Sequence, residues 1–256
     1  MNDTRDLTTY SASKLAELIR SNVASSEEVV KAHISRIKKV NPKLNAVVVL
    51  TEKSALKSAR EADSLTQKSK SLPPLHGVPI TIKDAFEVAG VVSTGGTLGR
   101  KDYVPDTDAI AVKRLKQAGA IILGKTNLPE ISMGFESSNL VYGKANNPFD
   151  VERTPGGSSG GEASIIAAGG SPFGIGSDAG GSIRWPAHCC GIVGMKPTTG
   201  RTARTGHWPA FSGIFSLVTQ IGPMARSVED IALTLPMLSG PDGVDPTVMP
   251  IPLKDP

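Results

Sequence analysis

The sequence predicts an α/β fold: a mixed central β-sheet sandwiched by α-helices, with peripheral N-terminal helices, as one domain over residues 1–256. Two observations carry this. Segments of helical periodicity alternate with short apolar runs of strand length. At 256 residues and 39% hydrophobic content the chain is also long enough to bury a sizeable core. No internal repeat is visible.

Residues 11–40 predict two helices, the first with Leu15, Leu18 and Ile19 as its apolar stripe. Ser25 and Glu28 offer a capping box for the second, with Val29, Val30, Ile34, Ile37 and Val40 following at helical spacing. Asn41-Pro42 is expected to stop it. A strand over 44–51 and a polar helix with an alanine face over 53–65 come next. Ile80 and Ile82 then alternate with Thr81 and Lys83, as in a strand whose second face meets a site. A helix over 108–118 turns Ile110, Val112 and Leu115 inward, and 120–123 is a buried strand. The segment 129–138 brings Met133 and Phe135 toward the centre of the chain. Helices over 162–168 and 183–188, strands over 172–176 and 191–195, and a helix capped by Ser227 through Asp230 complete the pattern. Residues 239–252 read as loop.

Composition excludes several function classes. Net charge is +4, with basic and acidic residues interspersed, and aromatics make up only 4%. That is a solvated surface and no base-stacking platform, so no nucleic acid is expected. The adjacent Cys189 and Cys190 are too few for a disulfide framework or a zinc site and read as free buried thiols. Residues 1–14 lack the pattern of a signal peptide, and no apolar run reaches membrane-spanning length. The expectation is a soluble cytoplasmic protein, with a homodimer left open, and with neither metal nor organic cofactor.

The chemistry concentrates in residues 154–200, which hold two glycine-framed serine clusters, Gly156-Gly157-Ser158-Ser159-Gly160-Gly161 and Asp178-Ala179-Gly180-Gly181-Ser182. They are expected to face each other. The amides of Ala179, Gly180, Gly181 and Ser182 can point into one concavity and stabilise an oxyanion. Ser182, beside them at the start of a helix, is placed as an acyl-transfer nucleophile. None of His33, His76, His188 and His207 lies in a recognisable catalytic loop; His207, in a Gly/Pro-rich loop, has an approach to the site as its alternative and is taken as a surface residue. Lys83 is the candidate base, because a buried lysine loses its proton more readily; alone, it reads equally as a strand lysine paired with Asp84. Asp178 and Arg184 read as a structural pair.

Two other motifs compete. Residues 119–126 fit GxxxxGK[ST], but Ala120-Ile121-Ile122-Leu123 is strand material preceded by a helix, so a phosphate cradle is rejected. Residues 156–160 fit the GxSxG nucleophile elbow. The preceding 150–155 is a poor strand, and this reading leaves Lys83 and Ser182 unexplained; it stays as the alternative catalytic reading.

Taken together, GVPITIKD at 77–84, GGSSGGEAS at 156–164, GSDAGGSIRWPA at 176–187 and GMKPT at 194–198 resemble the amidase signature family. In that family the form is most similar to fatty acid amide hydrolase and bacterial amidases. The resemblance implies a serine hydrolase cleaving amide C–N bonds through an acyl-enzyme, with Ser182 as nucleophile, Lys83 as base and Ser158 as a bridging serine on a cis peptide. It also implies that Met133 lines the substrate, a small amide such as a fatty acyl or aryl amide. The family also contains the amidase component of aspartyl/glutamyl-tRNA amidotransferases, which is the alternative enzyme. Members are substantially longer than this chain, so a truncated member is expected, weakly active or an inactive structural pseudoenzyme.

Overall fold

A computed structural model describes residues 6–69 and 71–253; part of the leader reading of residues 1–14 lies outside them. Helices α1 (Ala12–Arg20) and α2 (Ser26–Leu44) lead to strand β1 (Val47–Leu50), and helix α3 (Glu52–Thr66) to β2 (Pro79–Lys83). Then follow α4 (Ile110–Gln117), β3 (Ile121–Thr126), a small hairpin of β4 (Ser138–Asn139) and β5 (Gly143–Lys144), α5 (Gly160–Ala167) and β6 (Phe173–Asp178). The remainder is α6 (Arg184–Cys189), β7 (Val193–Gly194), α7 (Ile214–Val218), β8 (Gln220–Ala225) and α8 (Val228–Leu238).

The sheet runs in the order β1-β3-β2-β6-β8-β7. Its centre, β3-β2-β6, is parallel, and β1, β8 and β7 join antiparallel to their neighbours. One face is covered by α1, α4 and α8, whose Leu15, Leu115 and Ile231 pack with Ile80, Ile82 and Ile175. The other is covered by α2, α3, α5 and α6, through clusters that include Ile34, Leu123 and Ile165, and then Ile166, Ile183 and Met224. Each such buried aliphatic side chain contributes about 1.5–3 kcal/mol. The mixed, sandwiched sheet is the fold the sequence predicts.

Among the local expectations one holds, one is corrected, and one strand is added. The capping box is present, with the Ser25 side chain and backbone exchanging hydrogen bonds with Glu28. Asn41-Pro42, however, does not stop α2, which runs on to Leu44 and ends where Asn45 turns left-handed at φ 45°. The stop comes from Asn41, whose Oδ1 accepts from the Ala46 and Val47 amides and pulls the chain into β1. Strand β8 has no counterpart among the predicted elements, because Gly222-Pro223 reads locally as a turn. In the sheet Pro223 lies opposite Ile175, and its carbonyl still accepts from the Met195 amide at 3.1 Å. Gly222 is required there, since a Cβ would collide with the Met195 carbonyl oxygen.

Gly124-Lys125-Thr126, the tail of the rejected phosphate motif, lies inside β3. A Cβ on Gly124 would collide with the Val49 carbonyl of the neighbouring strand. Gly124→Ala is therefore expected to lower stability by about 1–3 kcal/mol, the usual cost of overpacking. Urea titration checks this; an unchanged midpoint would mean that β1 yields freely.

The chain's early and late segments are tied together by two charged side chains. The Arg226 guanidinium donates to the carbonyls of Thr8 and Tyr10 and also to those of Ile166 and Ser171. Asp230, on α8, accepts from the Ala12 and Ser13 amides and so caps α1 from outside its own segment. Helix α1 and the segment before it are thereby tied to α8 and to the end of β8.

Candidate active site

Residues with reactive side chains gather at the carboxyl ends of β2 and β6. The chain leaves β2 toward β3 on one side and leaves β6 toward β7 and β8 on the other. Such a switch point is where open α/β sheets leave a crevice for ligands.

Alternation along β2 sends Ile80 and Ile82 into the core and Thr81 and Lys83 toward α5. Lys83 is fully buried, and its Nζ lies 2.6 Å from Ser158 Oγ and 2.9 Å from Ser177 Oγ. Burial pushes its pKa down to about 7, against the pull of the Asp178 and Glu162 carboxylates. Asp84, one residue on, faces the other way: its Oδ1 accepts from Lys125 Nζ at 2.8 Å and its Oδ2 from the Thr94 amide and hydroxyl. The alternative of a Lys83–Asp84 pair is thus not what forms.

Ser158 is buried and follows a cis Gly157–Ser158 peptide. Ser137 braces this loop, donating to the Gly156 carbonyl and accepting from the Gly160 amide. The two serine clusters meet where the Ser159 amide donates to the Ser182 carbonyl at 3.1 Å. In the second cluster Asp178 organises the turn. It accepts from the amides of Gly181, Ile183 and Arg184 and from the Arg184 guanidinium. Burial works against its charge, but these donors hold its carboxyl below the usual range. The structural reading of Asp178 and Arg184 stands. Because the Gly181 amide is taken by Asp178 at 2.7 Å, Ala179, Gly180 and Ser182 are the expected oxyanion donors without that engagement. A Cβ on Gly180 would meet nothing within 4 Å, and one on Gly181, at φ 121°, would meet only Trp185, so this side of the turn is open.

Met133 is 59% exposed. Its segment adjoins the site: the Phe135 carbonyl accepts from the Trp185 indole, and Gly134 and Glu136 crowd Gly157.

Sequence reasoning missed two groups, Glu162 and Ser177, and preferred the wrong reading of a third, His207. Glu162, the one charged residue between Gly156 and Ser177, is buried and accepts from the Thr81 and Thr126 hydroxyls. Burial pushes its pKa up to about 7, against those bonds and the Lys83 charge. A lone charge in so apolar a stretch was the available signal. Ser177 lies just past the predicted end of its strand. His207, read as a surface residue, is instead 4% exposed and contacts Ser177 through Nε2 at 2.8 Å. Its loop reads as Gly/Pro-rich coil, and the pairing with Phe86 that buries it is not visible locally.

Cys189 and Cys190 are free, and burial pushes the Cys190 thiol up to about 12. Among the described residues, no group of three or more His, Cys, Asp or Glu is placed to hold a metal, and no helix is long and apolar enough to cross a membrane. A surface depression of about 620 Å³ lies elsewhere, bordered by Ala62, His76 and Lys116, and includes none of the groups above.

Comparison with known proteins points to a class of enzyme first. The structure of a fatty acid amide hydrolase superimposes with a TM-score of 0.91 at 34% identity, over 97% of this chain and 44% of the other. The chain belongs to the Amidase family, whose model matches residues 28–256. Among curated relatives, a glutamyl-tRNA(Gln) amidotransferase component of Carboxydothermus hydrogenoformans is 45% identical, over 96% of this chain and 50% of its own length. The indoleacetamide hydrolase of Bradyrhizobium diazoefficiens is 44% identical, over 96% and 48% respectively. The chain spans about half the length of the curated relatives it matches.

Proposed function

We propose that this chain carries the hydrolytic site of a serine amidase acting on a small amide. Ser182 is the nucleophile, Ser158 the proton relay and Lys83 the base. One observation carries the reading: a buried lysine with a depressed pKa bonds a serine in one glycine-framed loop, and that loop is tied to the loop bearing Ser182. Ser182 Oγ adds to the amide carbonyl while its proton passes to Ser158 and the Ser158 proton to Lys83. The amides of Ala179, Gly180 and Ser182 stabilise the oxyanion. Collapse breaks the C–N bond as Ser158 returns a proton to the leaving amine, and water then releases the acyl group by the same steps in reverse. Met133, exposed at the rim, is a substrate contact in this reading.

A fluorophosphonate tests the site without an acyl pocket. Serine oxygen bonds to phosphorus, fluoride leaves and the serine proton goes to the base. The expected result is one adduct, mapped to Ser182. An adduct on Ser158 that is indifferent to Lys83 would favour the nucleophile elbow instead. Because the base works unprotonated, the labelling rate is expected to rise with pH around a midpoint near 7, where burial holds Lys83. A midpoint near the ordinary lysine value of 10.5, or a flat profile, would remove Lys83 from this role.

Relatives named as glutamyl-tRNA(Gln) amidotransferase components favour a second reading, in which glutamine is the amide and ammonia passes to a partner. Ammonia release from glutamine but not from an aryl or fatty amide would select it.

A further inference from the structure

The hydrogen bonds beyond Lys83 have only one consistent direction. His207 Nδ1 lies 3.0 Å from the Pro209 carbonyl oxygen, which can only accept, so Nδ1 carries the ring proton. In the neutral ring Nε2 is then an acceptor and takes the Ser177 hydroxyl proton at 2.8 Å. With its one proton committed, Ser177 Oγ can only accept from Lys83 Nζ at 2.9 Å. A neutral lysine amine has two N–H groups and one lone pair. One N–H is directed to Ser177, which keeps that hydroxyl off the lone pair and leaves the lone pair available to accept from Ser158 Oγ–H, 2.6 Å away, in the neutral amine.

We propose that His207 is a positioning residue: by accepting the Ser177 proton, it obliges Ser177 to accept from Lys83 and so keeps the lysine lone pair free for Ser158. This rests on the reading of Lys83 as base. Without the histidine acceptor the Ser177 hydroxyl is free to turn and donate to that lone pair, which withdraws the base from Ser158.

The ring is held for this task. Its residue bridges to Phe86, three positions after Lys83, and the Trp208 amide donates to the Ala85 carbonyl. Phe86 meets the ring edge-on at 5.1 Å, and Phe211 lies tilted against it at 5.0 Å. Burial, and then the positive charges of Lys83 and Arg204, keep it neutral, pushing its pKa down to about 3 against the Pro209 bond; Asp178 and Glu162 act on Lys83 from β6 and α5.

The test is the pH dependence of fluorophosphonate labelling for the full chain, His207→Gln, His207→Phe and His207→Phe with Ser177→Ala. Glutamine retains an acceptor near the Nε2 position; phenylalanine retains the ring but no acceptor. His207→Phe is expected to lower the plateau rate on the order of tenfold, a fraction of the ~10²–10⁴ that general base catalysis supplies. Its midpoint is expected to move to lower pH, since a hydroxyl donating to the lone pair favours the neutral amine. His207→Gln is expected to label like the unsubstituted chain, and Ser177→Ala to restore part of the rate lost in His207→Phe. A merely structural histidine would change the labelled fraction and leave the midpoint in place. An unaltered rate in His207→Phe, or no rescue by Ser177→Ala, overturns the proposal. If the unsubstituted chain fails to label, the amidase reading fails, and ¹⁵N shifts of His207 still decide this one. A neutral Nδ1–H ring from roughly pH 5 to 9 is expected. An Nε2–H tautomer or an imidazolium overturns it.

Discussion

Ser182→Ala is expected to abolish fluorophosphonate labelling, and Lys83→Ala to slow it by about 10²–10⁴-fold near pH 8, the span a general base supplies. The two losses differ in kind. Without Ser182 there is no oxygen to form the bond to phosphorus. Without Lys83 the oxygen remains, but the Ser158 hydroxyl 2.6 Å from Nζ loses its proton acceptor. Lys83→Ala also empties a fully buried site, so circular dichroism and the urea midpoint must accompany the rates. A Lys83→Met variant fills most of that volume with an apolar chain. A folded Lys83→Met protein that labels at the unsubstituted rate would sink the base assignment, and a Ser182→Ala protein that still forms an adduct would sink the nucleophile.

The second large effect concerns stability. Lys125 and Asp84 are both fully buried and bonded at 2.8 Å, with Ser93 Oγ also accepting from the lysine. Removing either partner leaves the other charge in the interior, and Lys125→Met or Asp84→Leu is expected to cost about 3–5 kcal/mol. Burial already holds the Lys125 pKa below its ordinary value, with Asp84 the main opposing influence, so without the carboxylate the lysine sheds its proton more easily. Asp84→Leu also frees the Thr94 amide that anchors the 93–96 loop beside the site. Replacing both charges together is expected to cost less than the sum of the single changes, because no stranded charge remains. Urea unfolding of the three variants measures this; additive losses would mean that the two charges do not stabilise each other.

Local rules of sequence recovered most of the scaffold. The capping box of α2, the Ile80/Ile82 alternation of β2 and the Ser227 cap of α8 each depend on residues within four positions of one another. The misses have the opposite character. Asn41 ends α2 by reaching amides in the next element, and β8 holds a Gly-Pro pair that reads as a turn until β6 and β7 flank it. In the site, glycine spacing picked out both serine clusters and the strand pattern picked out Lys83. The partner of Asp84 was not legible: it is Lys125, from a motif set aside on its backbone context, brought near by the parallel pairing of β2 with β3. Ser177 was missed and His207 taken as a surface residue for the same reason, since one lies at the end of a strand and the other in coil until Phe86 pairs with it.

The Arg226 and Asp230 ties carry a consequence for the growing chain on the ribosome. The Asp230 cap on α1 spans a sequence separation of 218 residues, and the Arg226 bonds to Thr8 and Tyr10 are of similar reach. At about 5–20 residues per second, α1 waits on the order of 10–45 s after synthesis for the side chains that secure it. During that interval the Leu15 and Ile19 stripe has neither α8 nor the finished sheet to cover it. Helix α1 is thus early in order of synthesis and late in order of assembly, and its apolar face is an expected site for a chaperone to hold while the second half of the chain emerges.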